Sequence, residues 1–331
     1  MMRLDPRHHQ RIVQASEFEV RYTGGEANAA ALLATLGVDS ACVSKVPDNE
    51  VGQACVDYLR RFGIDTMHVA RGGERLGLLY VETGAAQRAS KVVYDRDHTS
   101  LRSATADDFD WDAILRGADW LHFSGTAPAS GATVTSVLEA GLSLAKDRGV
   151  RVSCDLNYRS KLWSPAEARE AMTRLMPYVD VLIGNEEDAT IVFGISAEGS
   201  DVVGGDLKVE SYRKIAEQLM QAWELDAVAT TLRTSISASV NEWAGLLFDG
   251  TTHHLSRTYR IDPIVDRVGG GDAFSGGLIF GMLEGMDSQS CVEFAVAASC
   301  LKHSIPGDLA LLSRGEIETL VAGDASGRVR R

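Results

Sequence analysis

DRVGGGDAFSGG, residues 266–277, sets three glycines in a row before a single acid and then enters an apolar run. AFSGGLIFGML, which follows Asp272, has the composition of a buried helix. Glycines at such an entrance let backbone N–H groups converge at the positive end of the helix, and that makes an anion site. Asp272 then has two readings. It is an N-cap above a tight glycine turn, a place where aspartate is favoured by about 1 kcal/mol. Alternatively, the loop amides hold a phosphoryl group and Asp272 accepts the proton of an attacking hydroxyl.

Outward from this motif the chain alternates. ADWLHFSG, GVRVSCDLNYR, YVDVLIGNEED and LDAVATTLR are short apolar runs with polar ends, separated by helical stretches over 132–147, 165–176 and 208–223. Such alternation predicts a parallel sheet covered on both faces by helices, with ligands beyond the carboxyl ends of the strands. LGLLYVET (76–83) and SKVVYDRDH (90–98), joined by GAAQ, read as a small hairpin outside that sheet. EANAAALLATL (26–36) and residues 50–62 read as helices closed by Gly37 and Gly63.

The 331 residues are 45% hydrophobic and 24% charged, the balance of an ordinary globular protein. A net charge of −13 speaks against non-specific nucleic-acid binding. Five cysteines without C-x-x-C spacing favour free thiols in a reducing compartment, and no apolar run is long enough to span a membrane. The expected location is the cytoplasm. There is no Gly-Lys dipeptide, HRD, DFG, H-E-x-x-H or G-x-S-x-G, so any phosphate moved here is moved by another architecture.

VDRVGGGDAFSGG resembles the C-terminal signature of the ribokinase-like (PfkB-type) carbohydrate kinases, and YTGGEANAAALLATLG resembles their N-terminal glycine signature. DLNYR (155–159) and NEED (185–188) are similar to the family's D-x-N-x-R and N-x-x-E motifs and stand in the family's order. The finer texture (VVYDRDHTS, DLNYRSKLWSP, TLRTSISAS, KHSIPGDLAL) is similar to the branch acting on 2-keto-3-deoxygluconate. The resemblance implies a Rossmann-like α/β ribokinase fold with a mostly parallel central sheet and a small β-sheet lid. It implies ATP and Mg2+, phosphorylation of the terminal hydroxyl of a six-carbon keto acid, and a homodimer through the lid. Lid segments would span about 10–23 and 75–100 against a core of about 24–74 and 101–320, with 321–331 a flexible tail.

Site roles follow from the same resemblance. Asp272 is the expected base, and Gly269, Gly270 and Gly271 with the Asp272 amide form the anion hole. Gly24, Gly25 and Asn28 lie against sugar hydroxyls, and Tyr94 and Arg96 belong to the lid over substrate. Arg159 and Asn157 face the substrate carboxylate and the nucleotide phosphates, and Thr231, Arg233 and Ser235 run along the nucleotide. Asn185 with Glu187 or Asp188 organises magnesium through water. His303 either lines the adenine pocket or is a satisfied helix-end histidine. Arg267 and Gly270 stand where the family usually has threonine and alanine. The family's opening hydrophobic strand has no counterpart before MMRLDP, so a strand is expected upstream of Met1. Two other readings stay open: a kinase of a neutral sugar or nucleoside on the same fold, and a non-catalytic sugar-binding descendant.

Overall fold

The computed structural model describes residues 1–185, 187–196 and 205–324. The apolar runs become neighbouring parallel strands β7 (Trp120–Ser124), β8 (Arg151–Asp155), β9 (Val181–Asn185) and β10 (Ala227–Ser235). β11 (Asn241–Phe248) joins β10 antiparallel and carries β12 (His253–Leu255) and β13 (Tyr259–Ile261) on its far side. Alternate side chains leave opposite faces. Leu182 and Val228 enter one core with Leu142, Met172 and Leu219 of α4 (Ala132–Asp147), α5 (Pro165–Leu175) and α7 (Gly205–Ala222). Val181, Ile183 and Ala229 enter the other with Phe274, Leu278, Val292 and Val296 of α8 (Gly270–Leu283) and α9 (Ser288–Lys302). Burial on both faces is why these runs are continuously apolar.

The lid sheet has the order β2-β1-β5-β6, with β1 (Met2–Pro6), β2 (Phe18–Tyr22), β5 (Leu78–Glu82) and β6 (Lys91–Asp95). The expected hairpin is present as β5 and β6, paired Leu78 to Asp95 and Glu82 to Lys91. The lid also begins earlier than its expected start near residue 10, because MRLDP itself is a lid strand, antiparallel to β2 and parallel to β5. α1 (Gly25–Thr35) leads from the lid into the core, and α2 (Glu50–Arg61) lies between β3 (Ser44–Val46) and β4 (Val69–Arg71), a short parallel pair. The remaining helices are α3 (Trp111–Ile114), α6 (Asp188–Phe193) and α10 (Arg314–Val321); of the expected tail, 325–331 fall outside the described residues.

Among the described residues β7 has a strand partner only in β8, and β3 only in β4. The free edges of both line one cleft of about 1130 Å³, and Trp120, Leu121 and His122 are only half-buried there. No described strand pairs with either of those edges.

Candidate active site

The glycine loop begins with Gly269, which caps α8 in the left-handed region at φ 85° and leaves Asp272 in the helix's first turn. Asp272 is therefore not the N-cap. A Cβ on Gly269 would stand 2.0 Å from the Asp308 carbonyl oxygen, and one on Gly270 would stand 2.6 Å from Cε1 of His303. The second contact leaves no room for a side chain at 270 unless the His303 ring shifts. A Cβ on Gly271 would meet nothing within 4 Å; that side of the loop is open to the cleft.

Asp272 sits half-buried on the cleft wall, and Asn28 Nδ2 donates to its Oδ2 at 2.6 Å. Asn28 is set by the first turn of α1, where its amide donates to the Gly24 carbonyl, and by a side-chain bond with Thr23. Gly25 allows the close approach: a Cβ there would meet Asp272 Oδ1 and Ser124 at 3.4 Å. Burial pushes the Asp272 carboxyl up to about 6, against the Asn28 hydrogen bond that favours its charged form.

Three further carboxylates share this cleft. Asp155, at the end of β8, accepts from the Asn157 amide at 3.1 Å and is pushed up to about 8 by burial and then by Asp272 and Asp188. Asp188, 3% exposed, accepts from the amides of Asn185 and Tyr158 and is raised to about 6 by burial. Glu26 accepts from the Ser124 amide at 3.1 Å and is likewise raised by burial. Glu26 and Asp155 were not singled out by sequence, although Asp155 opens the DLNYR motif. The signal available for Asp155 was its place at a buried strand's carboxyl end.

The cleft brings together most of the expected residues: Gly24, Gly25, Asn28, Tyr94, Arg96, Asn157, Arg159, Asn185, Asp188, Thr231, Arg233, His303 and the loop 269–272. Glu187 is exposed and is not among the lining residues, so of the two acids Asp188 faces the cleft; Glu186 lies outside the described residues. Ser235, exposed and paired with Asn241 at the end of β10, also lies off the wall. Arg96 packs its guanidinium 4.8 Å from the Tyr94 ring centre, and its Nε is buried without a hydrogen-bond partner. Burial lowers the Arg96 pKa, Tyr94 and Glu26 oppose that, and Arg159 adds to it as a like charge. Asn157 holds a left-handed φ of 40° and donates to Ser124 Oγ at 3.1 Å. His303 Nδ1 bonds the Ser299 carbonyl at 2.7 Å, and its ring packs on Trp243 at the border of the cleft. Burial lowers its pKa to about 4 and keeps it neutral.

A parallel α/β sheet with a ligand cleft at its carboxyl ends and a glycine-acid helix entrance defines the broad class, enzymes that handle phosphorylated ligands at a helix N-terminus. Residues 1–311 match the pfkB family carbohydrate kinase model, and the chain belongs to that family. It is a carbohydrate kinase. A 2-dehydro-3-deoxygalactonokinase of Haloferax volcanii is 31% identical over 99% of this chain and 96% of its own length. The crystal structure of a 2-dehydro-3-deoxygluconokinase from Thermotoga maritima is 51% identical, with a TM-score of 0.93 over 98% of this chain and 96% of that one. A fructokinase from Xylella fastidiosa, solved with bound ATP, shares the fold at a TM-score of 0.76 and 18% identity over 97% of this chain and 95% of that one. Among the described residues no helix is long and apolar enough to cross a membrane.

Proposed function

We propose that this kinase transfers the γ-phosphoryl group of ATP to the terminal hydroxyl of 2-keto-3-deoxygluconate, giving 2-keto-3-deoxy-6-phosphogluconate. The carrying observation is the pairing, in one cleft, of Asp272 beside an open three-glycine loop with Arg96, whose buried Nε has no partner. The substrate oxygen attacks the γ-phosphorus, its proton passes to Asp272, and the bond from phosphorus to the β–γ bridging oxygen breaks to release ADP. The Gly270 amide donates to the Arg267 carbonyl, and the amides of residues 269, 271 and 272 are left for the charge that develops on the phosphoryl oxygens. Arg96 and Arg159 are the cations on the lid and strand-end sides, suited to a carboxylate at the far end of the sugar.

Magnesium fits the donor set. Asp155 and Asp188 are buried acids with amide partners and no ion pair among the described residues, and a cation on the ATP phosphates supplies the missing charge. Free thiols at all five cysteines fit a cytoplasmic setting. A homodimer through the lid is supported by the outward row Val20, Leu4, Tyr80 and Val93, which is in register across four strands with Val20 52% and Val93 50% exposed.

The test is an ADP-release assay across 2-keto-3-deoxygluconate, its galactonate epimer, fructose, ribose and adenosine. Turnover confined to the two keto acids supports the reading, and preference between them names the epimer. Faster turnover of fructose, ribose or adenosine replaces it with the neutral-sugar or nucleoside kinase. No turnover of any of them overturns the keto-acid reading and moves the substrate outside this set.

A further inference from the structure

β1 alternates Leu4 outward with Arg3 and Asp5 inward, and Arg3 is 1% exposed. Its guanidinium is fully engaged. Nε donates to Asp5 at 2.8 Å, one terminal nitrogen to Asp308 at 2.9 Å, and the other to Asp266 at 2.7 Å. Burial alone would lower the Arg3 pKa, yet the three carboxylates hold it above its ordinary value. Nothing in the proposed chemistry uses this cation; it is too deep to meet substrate.

Its partners are the two ends of the anion hole. Asp266 begins the loop that runs to Gly269, its other carboxylate oxygen accepts from the Val268 amide at 3.0 Å, and the oxygen facing Arg3 also accepts from the Gly307 amide at 3.0 Å. Asp308 presents its carbonyl to the very place where Gly269 lacks a side chain. Lys302, fully buried, braces the same loop through the carbonyls of Asp266 and Ile305 at 3.0 and 3.2 Å. Asp5, on the lid strand, is held from its other side by Arg21 of β2 at 2.8 Å. One planar fork therefore joins the lid sheet to both segments that shape the 269–272 amides. A lysine ammonium gathers its three donors on one atom and lacks the planar fork of separate nitrogens that meets these three carboxylates.

We propose that Arg3 is a positioning residue of the phosphoryl-transfer reaction: by clamping Asp266 and Asp308 from the lid strand, it sets the anion-hole amides and makes the lid and the hole one mechanical unit. The inference rests on the reading of the 269–272 loop as the phosphoryl site.

The experiment compares wild type with Arg3→Gly in the full chain, with and without dilute, non-denaturing guanidinium chloride. Backbone hydrogen exchange is read first, because it needs no substrate. The expected result is exchange at least about tenfold faster over 266–273 and over β1, with β8 and β9 unchanged, and protection restored by guanidinium but not by sodium chloride. Kinetics on the substrate found in the ADP-release assay should show kcat down by about a hundredfold with the KM for ATP nearly kept, and recovery by guanidinium. A uniform rise in exchange across the protein, or wild-type exchange and kcat in a folded variant, overturns the proposal. If the loop loosens as expected while wild type phosphorylates none of the substrates in the ADP-release assay, the clamp stands and it is the proposed substrate that falls. Should Arg3→Gly not fold, Asp308→Asn carries the test: local loosening of 266–273 with a lowered kcat supports the clamp, and wild-type values in both overturn it.

Discussion

Two groups of desolvated carboxylates adjoin the glycine loop; burial raises Asp5 of the first group as it raises the second, and what differs is the cations that touch them. Asp5, Asp266 and Asp308 surround Arg3 at 2.7–2.9 Å, with Arg21 on the outer side of Asp5. Glu26, Asp155, Asp188 and Asp272 accept hydrogen bonds from amides alone, with Arg96 and Arg159 acting on them only from a distance, and every one of them is raised by burial. Charge that is matched inside the chain holds geometry. Charge left unmatched on a cleft wall stores a need for cations or protons from outside, which is where chemistry is done. The difference separates scaffold from site without reference to any relative.

Asp272→Asn should give the largest change. Turnover falls by about 10³-fold or more while ATP binding is nearly kept, because the amide cannot take a proton but preserves the shape. Binding by calorimetry beside single-turnover rates checks this, and equal turnover would remove Asp272 from the unmatched, reactive group. The same residue fixes the pH profile. A base must be ionised to work, and burial has raised this one to about 6. Activity is therefore lost as pH falls through that value, and kcat/KM should drop about tenfold per unit below it. A flat profile down to pH 5 would mean that the Asp272 proton is irrelevant to the step.

On the matched side the expected effect is on folding. Asp266→Asn leaves Arg3 buried with one neutral partner, and breaking a buried ion pair from one side costs about 3–5 kcal/mol. Urea unfolding at neutral pH reads this directly. A loss below about 1 kcal/mol would show that the Arg3 cluster is less matched than its geometry implies.

The lid side of the unmatched group has its own cations, Arg96 and Arg159. Arg159→Ala should weaken kcat/KM for keto acids by about 10- to 100-fold, the worth of a charge-assisted hydrogen bond, with neutral sugars little changed. Uniform loss on both would assign the arginine to ATP or to the fold.

Much of this was legible in the residues. The helix read over 132–147 is Ala132–Asp147, and the run behind Asp272 is the buried helix its composition announced. Asn28 and Asp272 meet at 2.6 Å across 244 positions, as two separate motifs on one chain could only suggest. The Arg3 cluster was not legible. Its partners Asp266 and Asp308 lie 263 and 305 positions away, and a lone arginine in a short polar strand ordinarily reads as solvated. For the same reason MRLDP did not look like a lid strand: its inward positions are charged, reversing the usual alternation.

The smallest expected effect is the one that most sharply divides the two groups. Asp155 is buried among Asp272 and Asp188, held by one amide, and raised to about 8. Asp155→Asn keeps an acceptor for that amide and removes an acid whose ionised form burial disfavours, so that folding no longer has to force a proton onto it. The ligand-free protein should therefore become more stable, by about 1 kcal/mol, even as turnover with ATP and magnesium falls. Thermal unfolding with and without ATP and magnesium separates the two effects: the variant gains over wild type in their absence and loses that advantage in their presence. Destabilisation of the ligand-free variant would mean that Asp155 is held by matched charge after all, and the division between scaffold and site would have to be redrawn at β8.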